Sequence, residues 1–211
     1  MKNIHVKITF IEPVLGTANN NPEIHSEFIA SKAPDAQSRE EEIEAIGTDA
    51  VEEKTMTVFS RDKDGNPVIW NYQVKGFFKE ACQMLQRMKG EKCAKESAKI
   101  KAYKKIIDGT IEPSADGLYK RMILLTIPEG TEITTYQRPL RGQTAQGERI
   151  ALACSEMVES GTTAEFYVRT PDIYEAAVIE WLDYGIYHGI SQWRNAGFGR
   201  FTYQVLDIKE A

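Results

Sequence analysis

Cysteine is scarce in this sequence, and its three cysteines form no recognisable pattern. Cys82, Cys93 and Cys154 are odd in number, and no two of them make a C-x-x-C pair. This set argues against a disulfide framework, which pairs its cysteines, and against a zinc knuckle, which needs closely spaced ones. The sequence therefore favours a reducing compartment.

Long apolar runs are also missing. No uninterrupted run approaches the roughly 18 residues that a membrane-spanning helix needs. The first residues lead directly into an alternating, strand-like pattern rather than into the apolar core of a signal peptide. We therefore expect a cytoplasmic protein with no membrane partner.

Histidine is equally rare, which limits the catalytic chemistry open to the chain. His5, His25 and His188 lie far apart and form no H-x-x-x-H array, so the sequence predicts no metal site and no cofactor. Nothing resembles the G-x-S-x-G motif of a serine hydrolase. The residues favour a protein without enzymatic activity, although His25 leaves a metal-independent ribonuclease open as an alternative.

Charge is abundant but unevenly distributed. The whole chain carries −5. Residues 35–53 contain eight acids against one arginine, a net −7, whereas residues 75–105 contain ten bases against three acids, a net +7. The overall charge therefore hides a basic segment that could meet phosphate and an acidic one that could shield it.

The periodicities predict an alternating order of strands and helices. Strands are expected over 4–11, 55–61, 67–72, 121–127, 132–139, 147–156, 163–170 and 201–208, and helices over 38–46, from 73 to Gly90, over 91–107 and after Pro171. Asp64-Gly65 predicts a hairpin between the second and third of these strands. The order reduces to βαββαβ, so the predicted fold is α+β, with a ferredoxin-like (RRM-like) core and an antiparallel sheet. We expect a single domain over 1–211, with a long N-terminal insertion at 17–72 and an extra lysine-rich helix within a helical insertion at 90–110.

The most specific local motif is Gly197-Phe198-Gly199-Arg200, between the last helix and the last strand. Two glycines allow close approach of a phosphate or of another chain, or they simply turn the backbone. Trp193 and Arg194 lie just before them, and an aromatic ring beside guanidinium groups can bind nucleic acid. We refer to residues 190–200 as the glycine loop.

The segment 190–205 resembles the carboxy-terminal glycine-rich loop and strand of the RAMP superfamily, the ferredoxin-like subunits of CRISPR effector complexes. The first strand and its turn, Glu12-Pro13-Val14-Leu15-Gly16-Thr17, are similar to the family's opening strand, and Val74-Lys75-Gly76 is similar to the start of its first helix. Asn71-Tyr72-Gln73-Val74 replaces the small residues that the family has before this Lys-Gly pair.

The resemblance implies sequence-independent binding of an RNA backbone, often within a filament of like subunits or a CRISPR effector complex. In that family the glycine-rich loop and the start of the first helix lie near the RNA. The positions that it singles out here are Lys75, Gly76, Lys79, Gly197, Gly199 and Arg200. A solitary relative carried by a phage or mobile element is also consistent with the resemblance.

A second candidate surface is the segment 138–149, which combines three arginines with two glycines. Read as a loop between strands, it could order on a phosphate backbone, with Arg141 as a contact, or it could be an ordinary hairpin connection.

The leading hypothesis is a non-enzymatic protein that binds single-stranded nucleic acid, RNA rather than DNA. Lys75, Lys79, Arg141, Arg194 and Arg200 would contact phosphates, and Trp193 would stack on a base. The competing hypothesis is a protein-interaction module, a mimic or inhibitor of a CRISPR effector subunit, in which the acidic segment 35–53 is the working surface.

Overall fold

The computed structural model describes residues 1–20, 56–88, 96–144 and 147–210. The chain divides into two units. The larger unit comprises Met1–Val14, Arg61–Glu132 and Val158–Ala211, and the smaller unit comprises Leu15–Ser60 and Ile133–Met157. The predicted helix at 38–46, the acidic segment 35–53 and His25 lie outside the described residues.

Strand β1 lies second from one edge of the sheet in the larger unit. Among the described residues this sheet has the order β12-β1-β11-β8-β6-β5, and β7 also pairs with β11. Its strands are β1 (Lys2–Phe10), β5 (Ser60–Arg61), β6 (Pro67–Trp70), β7 (Glu112–Ser114), β8 (Met122–Thr126), β11 (Thr163–Thr170) and β12 (Phe201–Glu210). In β1, the alternating residues Ile4, Val6, Ile8 and Phe10 are all buried, which confirms the strand that the sequence predicts.

Three helices accompany this sheet in the described residues: α1 (Asn71–Leu85), α2 (Tyr103–Thr110) and α3 (Glu175–Asp183). Helix α1 buries the stripe that the helical period predicts, including Phe77 and Phe78. Phe78 packs on Trp181 of α3 with the ring centroids 5.5 Å apart, and Phe77 packs on Phe201 of β12 at 5.1 Å. Each phenylalanine contributes about 1.5–3 kcal/mol by burial, so these contacts fix α1 against the sheet and α3.

The order of elements in the larger unit is that of a ferredoxin-like core. The chain runs through β1, α1, β8, β11, α3 and β12, and the sheet order β12-β1-β11-β8 is the 4-1-3-2 order of that fold. The neighbouring pairs β12 with β1, β1 with β11 and β11 with β8 are all antiparallel. The predicted fold class is therefore confirmed.

The smaller unit carries a second sheet, with the order β2-β10-β4-β3 and with β9 paired to β10 in the described residues. The strands are β2 (Val14–Leu15), β3 (Ala18–Asn19), β4 (Thr57–Val58), β9 (Thr134–Thr144) and β10 (Gly147–Val158). The interpretation of 138–149 as a loop is wrong, because β9 and β10 pair antiparallel from Thr134↔Met157 to Thr144↔Gly147. The backbone N–H and C=O groups of these residues hydrogen-bond to the neighbouring strand, whereas in a loop many of them would hydrogen-bond to water.

The lysine-rich helix is shorter than the sequence predicts. Ser97–Lys99 forms a 3-10 helix, and α2 begins only at Tyr103. Ala102 has φ of 53°, a left-handed conformation that ends a helical run, so the two pieces cannot merge. Residues 91–95 of the predicted helix lie outside the described residues. Three further 3-10 helices occur in the described ranges, at Asp172–Tyr174, Tyr184–Ile186 and Arg194–Ala196. No helix in these ranges is long and apolar enough to cross a membrane.

Candidate nucleic-acid interface

The two glycines of the glycine loop are required by the backbone. Gly197 has φ of 95° and Gly199 has φ of 71°, both in the left-handed region that favours glycine. A Cβ on Gly199 would lie 2.0 Å from the carbonyl oxygen of Ile190. The amide of Ile190 donates to the carbonyl of Gly199 at 3.0 Å, and the amide of Gly199 donates to the carbonyl of Pro13 at 2.8 Å. The close approach that Gly199 permits is therefore to this chain's own backbone, and a contact with nucleic acid at either glycine stays a prediction.

Trp193 stands at the start of this tight turn. It has φ of 61° and precedes the 3-10 helix Arg194–Ala196. Its ring is half-buried and meets the ring of Phe198 edge-on, with the centroids 6.1 Å apart. The tryptophan is thus held in place by the loop, with part of its surface accessible.

Arg194 connects the glycine loop to helix α1. Its guanidinium pairs with the carboxylate of Glu80, and the Nε2 atom of His188 lies 2.9 Å from the other oxygen of the same carboxylate. Burial lowers the pKa of His188, Glu80 opposes this effect, and the positive charge of Arg194 adds to it. One acidic side chain therefore holds the loop beside the helix that carries Lys75 and Lys79.

Arg200 lies at the other end of the loop, immediately before β12. Its Nη2 atom donates to Oε1 of Glu12 at 2.8 Å, and its Nε atom donates to the carbonyl of Gly197 at 3.2 Å. Both side chains of the ion pair are more than one-third exposed, at 35% for Arg200 and 42% for Glu12. The guanidinium thus closes the loop and remains accessible to solvent.

The two lysines of α1 are also paired with acids. Lys75 pairs with Glu112 of β7, and its Nζ donates to the carbonyl of Asp108 at 3.4 Å. Lys79 pairs with the carboxylate of Asp108 in α2. These contacts join α1 to the lysine-rich helix and to β7.

Gly76 has no packing role that the described atoms explain. It lies inside α1, where a glycine lowers stability by about 0.5–1 kcal/mol relative to alanine. A Cβ at this position would meet nothing within 4 Å. The backbone of α1 is therefore open to approach beside Lys75 and Lys79.

Three lysines near Asp108 in the sequence have no ion-pair partner among the described residues. In the described ranges, Lys101, Lys104 and Lys105 are exposed and take part in no ion pair. They lie on α2 or just before it, the helix whose Asp108 holds Lys79. Three positive charges without an ion-pair partner in the described residues thus lie on, or just before, the helix that packs against α1.

Sequence reasoning missed a cluster at the junction of β6 and α1. The rings of Trp70 and Tyr72 are stacked, with the centroids 6.2 Å apart and the planes 15° from parallel. The guanidinium carbon of Arg121 lies 5.9 Å from the centroid of Trp70. The sequence Trp70-Asn71-Tyr72, just before Lys75-Gly76, does indicate two neighbouring aromatic rings. Arg121 is brought beside them by tertiary structure, because Trp70 pairs with Met122 in the sheet.

The nine predicted site residues do not all come together. Eight of them lie in the larger unit, at the start of α1 and in the glycine loop. Arg141 lies on β9 in the smaller unit, opposite Ile150 of β10. Its role as a phosphate contact stays a prediction.

No protein-family model and no curated protein matches the chain. Solved structures do. A chain in the cryo-EM structure of the type III-B Cmr-beta bound to cognate target RNA aligns with 99% of this chain at 11% identity and a TM-score of 0.54. This chain spans 60% of the length of that one. The crystal structure of Cmr6 from Pyrococcus furiosus aligns with 97% of this chain and 99% of its own length, at 11% identity and a TM-score of 0.47. At 11% identity, the alignment with the Cmr-beta chain shows a shared fold, as the resemblance to the RAMP superfamily implies.

Proposed function

We propose that this chain is a non-enzymatic, RAMP-like protein that binds the backbone of single-stranded RNA through the glycine loop and helix α1. The fold agrees with that of a chain in an RNA-bound type III-B complex over almost the whole of this sequence. Fold alone does not decide function, so the proposal depends on the site as well.

The observation that carries the proposal is the contact between Arg194 and Glu80. These residues are 114 positions apart, and their pairing holds the glycine loop beside the helix that carries Lys75 and Lys79. Four of the five cations predicted to contact phosphate belong to the larger unit. The helix backbone is accessible at Gly76, beside Lys75 and Lys79. Such a surface offers charge and close approach but few groups that could read base edges.

The internal ion pairs are compatible with phosphate binding. Partly exposed pairs contribute only about 0–1 kcal/mol to stability, because water and salt screen them. A phosphate can therefore replace a carboxylate as the partner of Arg194 or Arg200 at little cost. Binding of this kind is independent of sequence and weakens as salt rises.

The test is the affinity for a single-stranded RNA oligonucleotide over a series of salt concentrations. We expect Arg194→Ala/Arg200→Ala to bind more weakly than wild type at low salt. The slope of log K against log salt should fall in magnitude by about 1.4, which is 0.7 for each lost phosphate contact. The matched control is Lys63→Ala/Lys209→Ala, which removes two charges from elsewhere in the larger unit and should bind like wild type.

Three outcomes would contradict the proposal. Absence of wild-type binding at low salt would leave the protein-interaction hypothesis, and equal losses in both double variants would show that net charge alone decides. Release of product from labelled RNA would instead favour a ribonuclease. DNA of the same sequence, measured in parallel, shows whether RNA is preferred.

A further inference from the structure

We propose that Trp70, Tyr72 and Arg121 form a stacking site for one unpaired base, an inference that rests on the RNA binding proposed above. None of these residues was a candidate from sequence. The site would add a second contact with bases to the one that the sequence predicts for Trp193. We call the three residues the aromatic cluster.

The first argument is the exposure of a preformed aromatic stack. Tyr72 is 55% exposed although its ring lies nearly parallel to that of Trp70. A single exposed aromatic residue is ordinary on a protein surface. Two parallel rings with a guanidinium beside one of them are the arrangement that sequence-tolerant binding of single strands uses, because every base has a face that can stack.

The second argument is that hydrogen bonds hold Arg121 and the residue between the two rings, Asn71. The Nε atom of Arg121 donates to Oδ1 of Asn71 at 3.3 Å, and Nδ2 of Asn71 donates to Oε1 of Glu112 at 3.0 Å. The amide of Asn71 also donates to the carbonyl of Arg121 at 2.9 Å. Arg121 and the start of α1 are therefore already ordered, so they lose little conformational entropy when a base binds.

The third argument is continuity with the proposed phosphate contacts. The carboxylate of Glu112 that holds Asn71 also pairs with Lys75. Tyr72 and Lys75 are three residues apart on α1, so they are neighbours on the helix surface, about 5–6 Å apart at Cβ. A base on Tyr72 therefore leaves its own backbone within reach of Lys75.

The experiment compares two ligands of equal length and charge, a decameric oligouridylate and an abasic ribose-phosphate decamer. We expect wild type to bind the oligouridylate more tightly. Tyr72→Leu should bind it about 5- to 150-fold more weakly than wild type does, the range found for removing one stacked base contact. Its affinity for the abasic decamer should equal that of wild type.

Two variants separate stacking from other effects. Tyr72→Phe keeps the ring and should bind like wild type, which would exclude a role for the hydroxyl group. Tyr119→Leu removes a tyrosine that is 82% exposed in the same unit but outside the aromatic cluster, and it should also bind like wild type.

The possible failures are distinguishable. Wild type that binds both decamers equally would overturn the stacking site and leave the proposed backbone binding intact. The same conclusion would follow if Tyr72→Leu behaved like wild type, or lost affinity equally for both ligands. Wild type that binds neither decamer at low salt would overturn the proposed function and this inference together.

Discussion

Gly199 is the residue whose replacement the structure constrains most tightly. An alanine there would keep a left-handed backbone, which costs an L-residue about 1–2 kcal/mol. Its Cβ would also lie 2.0 Å from the carbonyl oxygen of Ile190, a backbone atom that cannot rotate away. We expect Gly199→Ala to lower the free energy of unfolding by more than the backbone conformation alone accounts for, as measured by denaturant titration.

Gly130→Ala is the matched control for this prediction. Gly130 has φ of +80°, but a Cβ there would meet nothing within 4 Å. Gly130→Ala should therefore lower the free energy of unfolding only by the cost of the left-handed backbone. If both variants lose the same free energy of unfolding, the backbone at Ile190 moves aside for the added Cβ at no cost, and the prediction is wrong.

Individual site residues could be chosen from the sequence, but their partners could not. The resemblance to the RAMP superfamily singled out Lys75, Lys79 and Arg200. Arg194 was chosen by its type and by its position before the glycines. Their acids lie far away along the chain, since Glu112 is 37 residues from Lys75 and Glu12 is 188 residues from Arg200. Such pairs arise from tertiary packing, and no local pattern encodes them.

Helix α1 is the element on which stability and binding should conflict. Gly76→Ala should raise the free energy of unfolding by about 0.5–1 kcal/mol, because alanine favours the helix and the added Cβ meets open space. The same Cβ would keep a phosphate from approaching the backbone of α1. We therefore expect a more stable protein that binds single-stranded RNA more weakly, measured by thermal unfolding and by titration with RNA.

Gly109→Ala in α2 provides the comparison, since a Cβ there also meets nothing within 4 Å. It should stabilise the protein without the loss of RNA affinity. If Gly76→Ala gains stability and keeps full affinity, the backbone of α1 does not approach RNA, and the glycine has no role at the site.

At the level of elements, periodicity predicted strands and helices better than it predicted their extent. The period-2 pattern of β1 and the Asp-Gly hairpin are both found, and Gly65 indeed donates its amide to the carbonyl of Asp62 at 3.2 Å. The strand residues of 140–144 lack a clear alternation and were interpreted as loop. Their pairing with β10 depends on a partner strand, which a local pattern does not contain.

Across the whole molecule, charge of each sign is concentrated in a different segment of the sequence. The net −7 of residues 35–53 opposes the net +7 of residues 75–105, and the chain as a whole carries −5. Exposed charges act over about one Debye length, roughly 10 Å at 0.1 M salt and 30 Å at 0.01 M. The negative charge of residues 35–53 should therefore lower the affinity for RNA at low salt, and this effect should be lost at high salt.

Neutralising part of the acidic segment tests this charge distribution. We expect Glu40→Gln/Glu41→Gln/Glu42→Gln to raise the affinity for single-stranded RNA at low salt, and the gain should disappear as salt approaches 1 M, where the Debye length is about 3 Å.

The control neutralises three exposed acids elsewhere, Asp64→Asn/Glu129→Gln/Glu132→Gln. If both triple variants gain equally, net charge alone governs association. If the first triple variant binds RNA no better than wild type at low salt, the acidic segment does not oppose RNA binding. A role for that segment in binding a protein partner would then be the next hypothesis to test.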